Sequence, residues 1–337
     1  MAALRRVDRT APGYTRRRHG RGFVYLDEAG RPIRDERLGR IRSLAIPPAW
    51  VDVWICPDER GHLQATGVDS AGRLQYLYHP DWRTQRDRAK FERVEGFAEA
   101  LPAVRERVRR DIRRRGFPRE RVLACAIRLL DRGLFRVGTE DYVSNGAFGL
   151  ATLRREHVVV RRAVVEFDFV GKAGKRHVLE ITDPEVLRVL RALRRRHADP
   201  NDDLLAWDDA GSWRTLRAAD INAYLKESSG QDYSAKDFRT WHATVLAATA
   251  LAEHGVERSQ RASKRAIRSA AEVVSDHLGN TPAVARRSYI DPRVIARYLD
   301  GEVIDLSRLP DDDGLEALEA AVLRLLRSHA SAWPEAA

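Results

Sequence analysis

Four short segments of the sequence contain side chains that together could break a phosphodiester. They are LFRVG at 134–138, FDFVGK at 167–172, KDFRT at 236–240 and GNTPAVARRSY at 279–289. These segments supply two arginines, a lysine, an amide and a phenol, namely Arg136, Arg239, Lys172, Asn280 and Tyr289. A hydroxyl that attacks phosphorus needs fixed cations on the nonbridging oxygens and an acid for the leaving oxygen. The four segments therefore predict an enzyme with a hydroxyl nucleophile.

The role of each side chain follows from its charge. Tyr289 would attack phosphorus, and its phenol, with an ordinary pKa of about 10, needs positive neighbours to stabilise the phenolate. Arg136 and Arg239 would neutralise the nonbridging oxygens, each contributing ~10²- to 10³-fold in rate. Lys172 would protonate the leaving oxygen, and Lys175 on the same turn is the alternative acid. Asn280 can donate a hydrogen bond to a nonbridging oxygen but cannot transfer a proton at neutral pH.

The charge of the chain predicts a polyanionic partner, and duplex DNA fits best. The 337 residues include 60 Lys and Arg against 49 Asp and Glu, a net charge of +11. Residues 1–40 hold eleven arginines against five acids, whereas the tail beyond Asp300 contains three arginines and the acidic run 311–313. An arginine-rich solvated surface would give the same totals, so charge alone does not decide. DNA is expected to contact the N-terminal and central parts of the chain.

Several classes of protein are not expected from the composition. Cys56 and Cys125 have no CxxC or Cys/His neighbourhood, so both are predicted to be buried hydrophobes and no metal site is predicted. The sequence has no 18-residue apolar run, and residues 1–19 lack the apolar region of a signal peptide. We expect a cytoplasmic, nucleoid-associated protein that uses no cofactor and does not bind membranes.

The first eighty residues are predicted to be rich in β-strands. A strand over 22–27 leads into a turn at 28–30, a second strand covers 51–56, and a hairpin joins 62–69 to 73–78 around Ser70, Ala71 and Gly72. Alternation along the last strand places Tyr76 and Tyr78 on one face and Gln75 on the other. A strand with a polar aromatic face can line a groove. We place the domain boundary after residue 82, which gives domains 1–82 and 83–337.

The second domain is predicted to be mostly helical around a small sheet, so the fold class is α+β. An amphipathic helix over 119–132 delivers Arg136 just past its end. Strands are predicted at 158–160, 164–170 and 177–181, with Lys172 on the turn between the last two. Everything after Asp183 is predicted to be helical apart from short loops. Gly279 should end one helix, and Thr281 with Pro282 should begin the next.

The order of these motifs resembles that of the type IB DNA topoisomerases of poxvirus and bacterial type, which have a tyrosine recombinase-like catalytic domain. The resemblance runs through most of the chain, with one departure: Asn280 stands where the poxvirus enzymes have histidine. It implies a β-rich domain and a helical catalytic domain that act as a monomeric clamp around duplex DNA. It also implies relaxation of supercoils through a 3′-phosphotyrosine. ATP and metal should be dispensable, because transesterification conserves the bond energy and side chains supply the cations.

The resemblance also implies residues that contact DNA. The segment 72–78 is similar to the strand with which the family contacts the major groove, which assigns Gln75, Tyr76 and Tyr78 to that role. Tyr142 is similar to a tyrosine that touches DNA near the cleavage site. Lys175 and Arg286 lie beside the catalytic motifs and are predicted to bind DNA as well.

Two other functions remain open at this point. A tyrosine recombinase or integrase would use nearly the same residues, but that family usually has histidine three residues before the second arginine, where this chain has Lys236. A nonenzymatic architectural DNA-binding protein would explain the charge, but not the phenol, the amide and the lysine. A covalent DNA adduct would separate both enzymes from the architectural protein, and product topology would separate the enzymes from each other.

Overall fold

The structure is a computed structural model that describes residues 3–133, 135–196, 202–308 and 314–328, apart from the side chains of Tyr142 and Arg308. The predictions for the Tyr142 side chain and for the acidic run 311–313 lie outside the described residues. The chain divides into two compact units between Lys90 and Phe91. The sequence places the boundary after residue 82, whereas this division falls inside a helix, Pro80–Asp111.

The first unit is built on one antiparallel sheet of five strands in the order β2-β1-β3-β4-β5. The strands are β1 (Tyr14–His19), β2 (Gly22–Leu26), β3 (Val51–Ile55), β4 (Leu63–Val68) and β5 (Leu74–Tyr78), and a helix, α1 (Arg37–Ser43), follows β2. Ile33, Ile41, Val53, Ile55 and Ala65 belong to its buried core. The unit therefore has a hydrophobic core of its own.

The predicted hairpin of the first unit is confirmed. The first strand of the unit, β1, was not predicted. β4 pairs with β5 around Gly72, whose φ of 73° is accessible to glycine. The rings of Tyr76 and Tyr78 stack on one face of β5, with centroids 6.0 Å apart. β2 pairs with β1, which the sequence analysis missed. β1 contains three consecutive arginines and is largely exposed, so it has no apolar alternation to reveal it.

The second unit is mostly helical, and the predicted α+β class is confirmed. Its helices are α2 (Pro80–Asp111, which begins in the first unit), α3 (Arg119–Gly133), α4 (Glu140–Val143), α5 (Pro184–Arg194), α6 (Ala218–Ser229), α7 (Ala235–His254), α8 (Gln260–Leu278), α9 (Pro282–Ser288), α10 (Pro292–Leu299) and α11 (Gly314–Arg327). The α3 residues Leu123, Ile127 and Leu130 are buried in the main core, as the amphipathic pattern predicts. No helix in the described ranges is long and apolar enough to cross a membrane.

Two small sheets complete the second unit. The predicted strands form one antiparallel sheet, with β6 (Val158–Val160), β7 (Val165–Val170) and β8 (Arg176–Ile181) in that order. A second sheet pairs β9 (Ala206–Asp209) with β10 (Ser212–Thr215). The prediction that the chain is helical throughout after Asp183 is therefore wrong. Each of these strands has four residues, too few for alternation to show, although Ala210 and Gly211 form a turn with positive φ.

Candidate active site

The predicted catalytic side chains come together in the second unit. Arg136, Lys172, Arg239 and Tyr289 line one cavity of about 400 Å³. Asn280 joins them because its Oδ1 accepts a hydrogen bond from Arg136 Nη2. These five residues come from four separate sequence segments. Folding thus produces the arrangement that the motif order suggests.

Arg136 is held in place by the segment that follows α3. The neighbouring Phe135 is buried, with its ring centroid 5.0 Å from that of Phe167. The amide of Leu150 donates to the Arg136 carbonyl at 2.9 Å. Gly138 has a φ of 76°, and a Cβ there would lie 2.7 Å from Gly149 Cα. The FRVG sequence therefore combines a buried anchor with a glycine that allows close backbone approach.

Arg239 is located on α7 and contacts the end of α8. Its side chain is buried, with 5% exposure, and Nη2 donates to the carbonyl of Leu278 at 2.8 Å. Burial and the charge of Arg136 lower the pKa of Arg239 to about 10, although Tyr289 opposes that change. The positive charge of Arg136 beside the buried guanidinium of Arg239 provides a strong site for an anion.

Asn280 and Tyr289 flank α9 as the sequence predicts. Gly279 ends α8 with a φ of 65°, and the Thr281 side chain caps α9 by accepting from the Val284 amide at 3.3 Å. Pro282 is the first residue of α9, and Tyr289 follows its last residue. The predicted break between helices is confirmed. The break places Asn280 beside Arg136 and Tyr289 beside Arg239.

Arg136 and Asn280 each have a buried hydrogen-bond donor without a partner in the described part of the chain. Arg136 Nε and Asn280 Nδ2 have no hydrogen-bond partner among the described residues. Leaving a buried donor unsatisfied costs about 1–3 kcal/mol. Because Asn280 Oδ1 already accepts from Arg136, its amide nitrogen remains available to donate. A phosphate oxygen is the kind of acceptor that each of these donors lacks.

The environment of Tyr289 favours its ionisation. Burial by itself raises the pKa of the phenol. The charges of Arg239 and Arg136, a hydrogen bond from Arg239 and the charge of Lys236 outweigh burial, so the pKa lies below its ordinary value of 10.0. The guanidinium carbon of Arg239 lies 5.6 Å from the centre of the Tyr289 ring. The shift is in the direction that the predicted role of Tyr289 as a nucleophile requires.

Lys172 and Lys175 lie on the turn between β7 and β8 but differ in their relation to the cavity. The Gly171 amide donates to the Lys175 carbonyl at 2.8 Å and closes the turn, and Ala173 and Gly174 within it have positive φ. Both lysines are exposed. Lys172 lines the cavity, whereas Lys175 is not among its lining residues. Of these two lysines, Lys172 is the one that borders the cavity of Tyr289, and its role as the acid stays a prediction.

Two residues of the site were not assigned to it from the sequence. Lys236 lines the cavity from the first turn of α7, and its charge lowers the pKa of Tyr289. Its position one helical turn before Arg239 was the available signal. His177 on β8 lies next to Gly171 and Gly279. No local pattern in the sequence marks that contact.

Of the residues predicted to bind DNA, Tyr76, Lys175 and Arg286 are exposed, whereas Gln75 and Tyr78 are half-buried. Tyr76 is 45% exposed, and Gln75 Nε2 donates to Asp69 Oδ2 at 2.8 Å in the first unit. Arg286 is exposed on α9 in the second unit. Their contact with DNA stays a prediction. The exposure of Tyr76 and Arg286 is compatible with that role.

A buried charge network connects the helices that position the two arginines. Arg105 of α2 donates twice to Asp131 of α3, at 2.9 Å each, and twice to Glu319 of α11, at 2.6 and 2.9 Å. His242 Nε2 lies 3.2 Å from Asp131 Oδ1, and Trp241 Nε1 donates to Glu319 at 3.1 Å. Asp131 lies in the last turn of α3, just before the segment that contains Arg136, and His242 lies one turn after Arg239 on α7. The network therefore fixes α3 against α7.

Replacing Asp131 with asparagine is expected to destabilise the protein by ~1–3 kcal/mol, since it removes the charged acceptor of two Arg105 hydrogen bonds while Glu319 still pairs with Arg105. Urea denaturation measures the loss. Asp168→Asn is the matched control, because Asp168 pairs with Arg176 on the exposed surface of the sheet and should change stability little. Equal effects of the two substitutions would show that the buried network contributes no more to the free energy of unfolding than the surface pair does.

Comparison with known proteins identifies the family. Residues 79–300 match the family described as eukaryotic DNA topoisomerase I, catalytic core, and residues 22–69 match the bacterial DNA topoisomerase IB N-terminal domain. DNA topoisomerase 1B of Acanthamoeba polyphaga mimivirus is 28% identical over 94% of this chain and 95% of its own length. Human mitochondrial DNA topoisomerase I is 28% identical over 59% of this chain and 33% of its own length.

The chain belongs to the type IB DNA topoisomerases, because the catalytic-core match alone spans well over half of it. The resemblance stated from the motifs is thereby confirmed. The protein is a DNA topoisomerase, an isomerase whose substrate is DNA. The first unit contains the N-terminal domain match, and the catalytic-core match begins just before α2.

Proposed function

We propose that this enzyme relaxes supercoiled duplex DNA by cutting one strand through Tyr289 and rejoining it, without ATP or a metal ion. The observation that supports this most directly is the position of Tyr289, at a cavity lined by Arg136, Arg239, Lys172 and Lys236. The lowered pKa of Tyr289 and the unpartnered donors of Arg136 and Asn280 suit attack on a phosphodiester.

In the proposed reaction Tyr289 loses its phenol proton to solvent, its Oη bonds to phosphorus, and the bond from phosphorus to the 5′ oxygen breaks. The product is a 3′-phosphotyrosine, and the departing 5′ oxygen takes a proton from Lys172. Arg136 and Arg239 bind the nonbridging oxygens, and Asn280 Nδ2 donates to one of them. Religation is the reverse step, in which the 5′ hydroxyl attacks the phosphotyrosine. One ester replaces another, so the cycle needs no external energy source.

The partner is duplex DNA, and we propose that the enzyme works on it as a monomer in the bacterial cytoplasm, in association with the nucleoid. Gln75, Tyr76 and Tyr78 of β5 would contact the major groove. Tyr142, Lys175 and Arg286 would bind near the cleaved phosphate. Phosphate contacts should dominate affinity, since the chain has a net charge of +11. The recombinase and architectural alternatives are less well supported, because the named relatives are DNA topoisomerases.

Incubation with supercoiled plasmid in EDTA without ATP is the direct test of this function. We expect a ladder of relaxed topoisomers on an agarose gel, because arginine and lysine side chains supply the positive charge that metal ions provide in other phosphoryl-transfer enzymes. Trapping with detergent during the reaction should yield protein covalently linked to DNA. A strict requirement for ATP or a divalent ion would contradict the proposed mechanism.

A further inference from the structure

The His177 ring is located between two glycines that come from different parts of the chain. A Cβ added at Gly171 would lie 2.7 Å from His177 Cδ2, and one added at Gly279 would lie 2.4 Å from His177 Cε1. Carbon atoms do not approach that closely, so any larger residue at either position would collide with the ring. The ring of Phe169 stacks on His177, with centroids 5.2 Å apart and planes inclined by 16°.

The two glycines immediately precede two residues of the active site. Gly171 precedes Lys172, the proposed acid, and Gly279 precedes Asn280, which binds Arg136. The ring of His177 therefore connects the lysine-bearing turn to the turn between α8 and α9. Movement of either turn toward the other is blocked by the ring.

The surroundings of His177 favour the neutral imidazole. Burial lowers its pKa, and the charges of Arg136, Arg239 and Lys175 lower it further. A neutral ring adds no positive charge to a site that already contains two arginines. The contact that it makes with the two glycines is therefore one of shape and does not depend on a charge.

We propose that His177 is a positioning residue, a wedge that fixes the Lys172 turn against the Asn280 turn. It is not among the residues that line the cavity of Tyr289 and Lys172, and it acts through Gly171 and Gly279. The proposal rests on the function assigned above to Lys172. Because a displacement of about 1 Å can cost ~10²-fold in rate, loss of the wedge should weaken proton transfer to the leaving oxygen.

The test compares cleavage of ordinary DNA with cleavage of DNA in which the bridging 5′ oxygen is replaced by sulfur, under single-turnover conditions. His177→Ala should cleave ordinary DNA ~10²-fold more slowly. It should recover most of that loss on the sulfur substrate, because the 5′ thiolate leaves without a proton. Damage to the fold would slow both substrates equally. That result, or full activity of His177→Ala on ordinary DNA, would overturn the proposal.

Gly171→Ala provides a second variant whose backbone needs no unusual conformation, since Gly171 has a φ of −101°. Its methyl group would push against His177, so it should show the same slow cleavage and the same recovery with sulfur. Combining it with His177→Ala should add little further loss, because both changes act on one contact. Independent, additive losses would contradict the wedge.

Gly279→Ala and Gly230→Ala form a matched pair. Both glycines end a helix with nearly the same φ, 65° and 67°, but Gly230 has no atom within 4 Å of an added Cβ. The backbone cost is the same in both variants, so only Gly279→Ala should slow cleavage through His177.

Lys172→Ala separates the positioning role of His177 from the acid role of Lys172. If sulfur rescues Lys172→Ala but not His177→Ala, the wedge is wrong and the acid assignment stands. If sulfur fails to rescue Lys172→Ala, the acid assignment is wrong.

Discussion

Replacing Tyr289 with phenylalanine is expected to abolish both relaxation and the covalent adduct while leaving DNA binding nearly unchanged. The change removes one oxygen and keeps the ring, which packs beside a buried cluster that includes Ala243 and Ile290. Ile290, the next residue, offers no hydroxyl as a substitute. The adduct is measured by trapping the reaction with detergent, and binding by the retention of labelled duplex on a filter.

Tyr298→Phe is the matched control for this experiment. Tyr298 belongs to α10, is buried, and donates its hydroxyl to the carbonyl of Gly255 at 2.9 Å. Burial and the charge of Glu257 raise the pKa of Tyr298, whereas the arginines lower that of Tyr289. We therefore expect Tyr298→Phe to form the adduct normally. An adduct that persists in Tyr289→Phe would mean that another tyrosine is the nucleophile.

Local sequence signals predicted the parts of the site that depend on neighbouring residues. The end of α8 at Gly279 and the start of α9 at Thr281 and Pro282 follow from capping preferences that act within a few residues. The turn that carries Lys172 follows from two runs of β-forming residues around Gly171. These features require no knowledge of the tertiary structure.

Contacts between distant segments could not be predicted in the same way. Arg136 and Asn280 are 144 residues apart, and their hydrogen bond determines which amide atom remains free to donate. His177 shows no pattern in its own strand, since its effect depends on glycines in two other segments. β1 was missed for a different reason: strand pairing stabilises it although its own arginines give no apolar period.

Lys172→Ala is expected to cleave ordinary DNA ~10²- to 10⁴-fold more slowly and to regain most of that rate when sulfur replaces the bridging 5′ oxygen. A positioned general acid contributes about that much to a rate. An alkoxide is a poor leaving group without a proton, whereas a thiolate leaves readily without one. Single-turnover formation of the covalent adduct on the two substrates measures the effect.

Arg136→Ala, Arg239→Ala and Lys175→Ala provide the comparison that makes the result specific to Lys172. The arginines stabilise nonbridging oxygens, so each loss of ~10²- to 10³-fold should persist on the sulfur substrate. Lys175 is absent from the cavity lining, so its removal should affect DNA affinity more than the chemical step. Rescue of Lys175→Ala in place of Lys172→Ala would move the acid three residues along the turn. Equal rescue of the lysine and arginine variants would mean that sulfur accelerates cleavage whatever group is missing, and no proton donor could then be assigned.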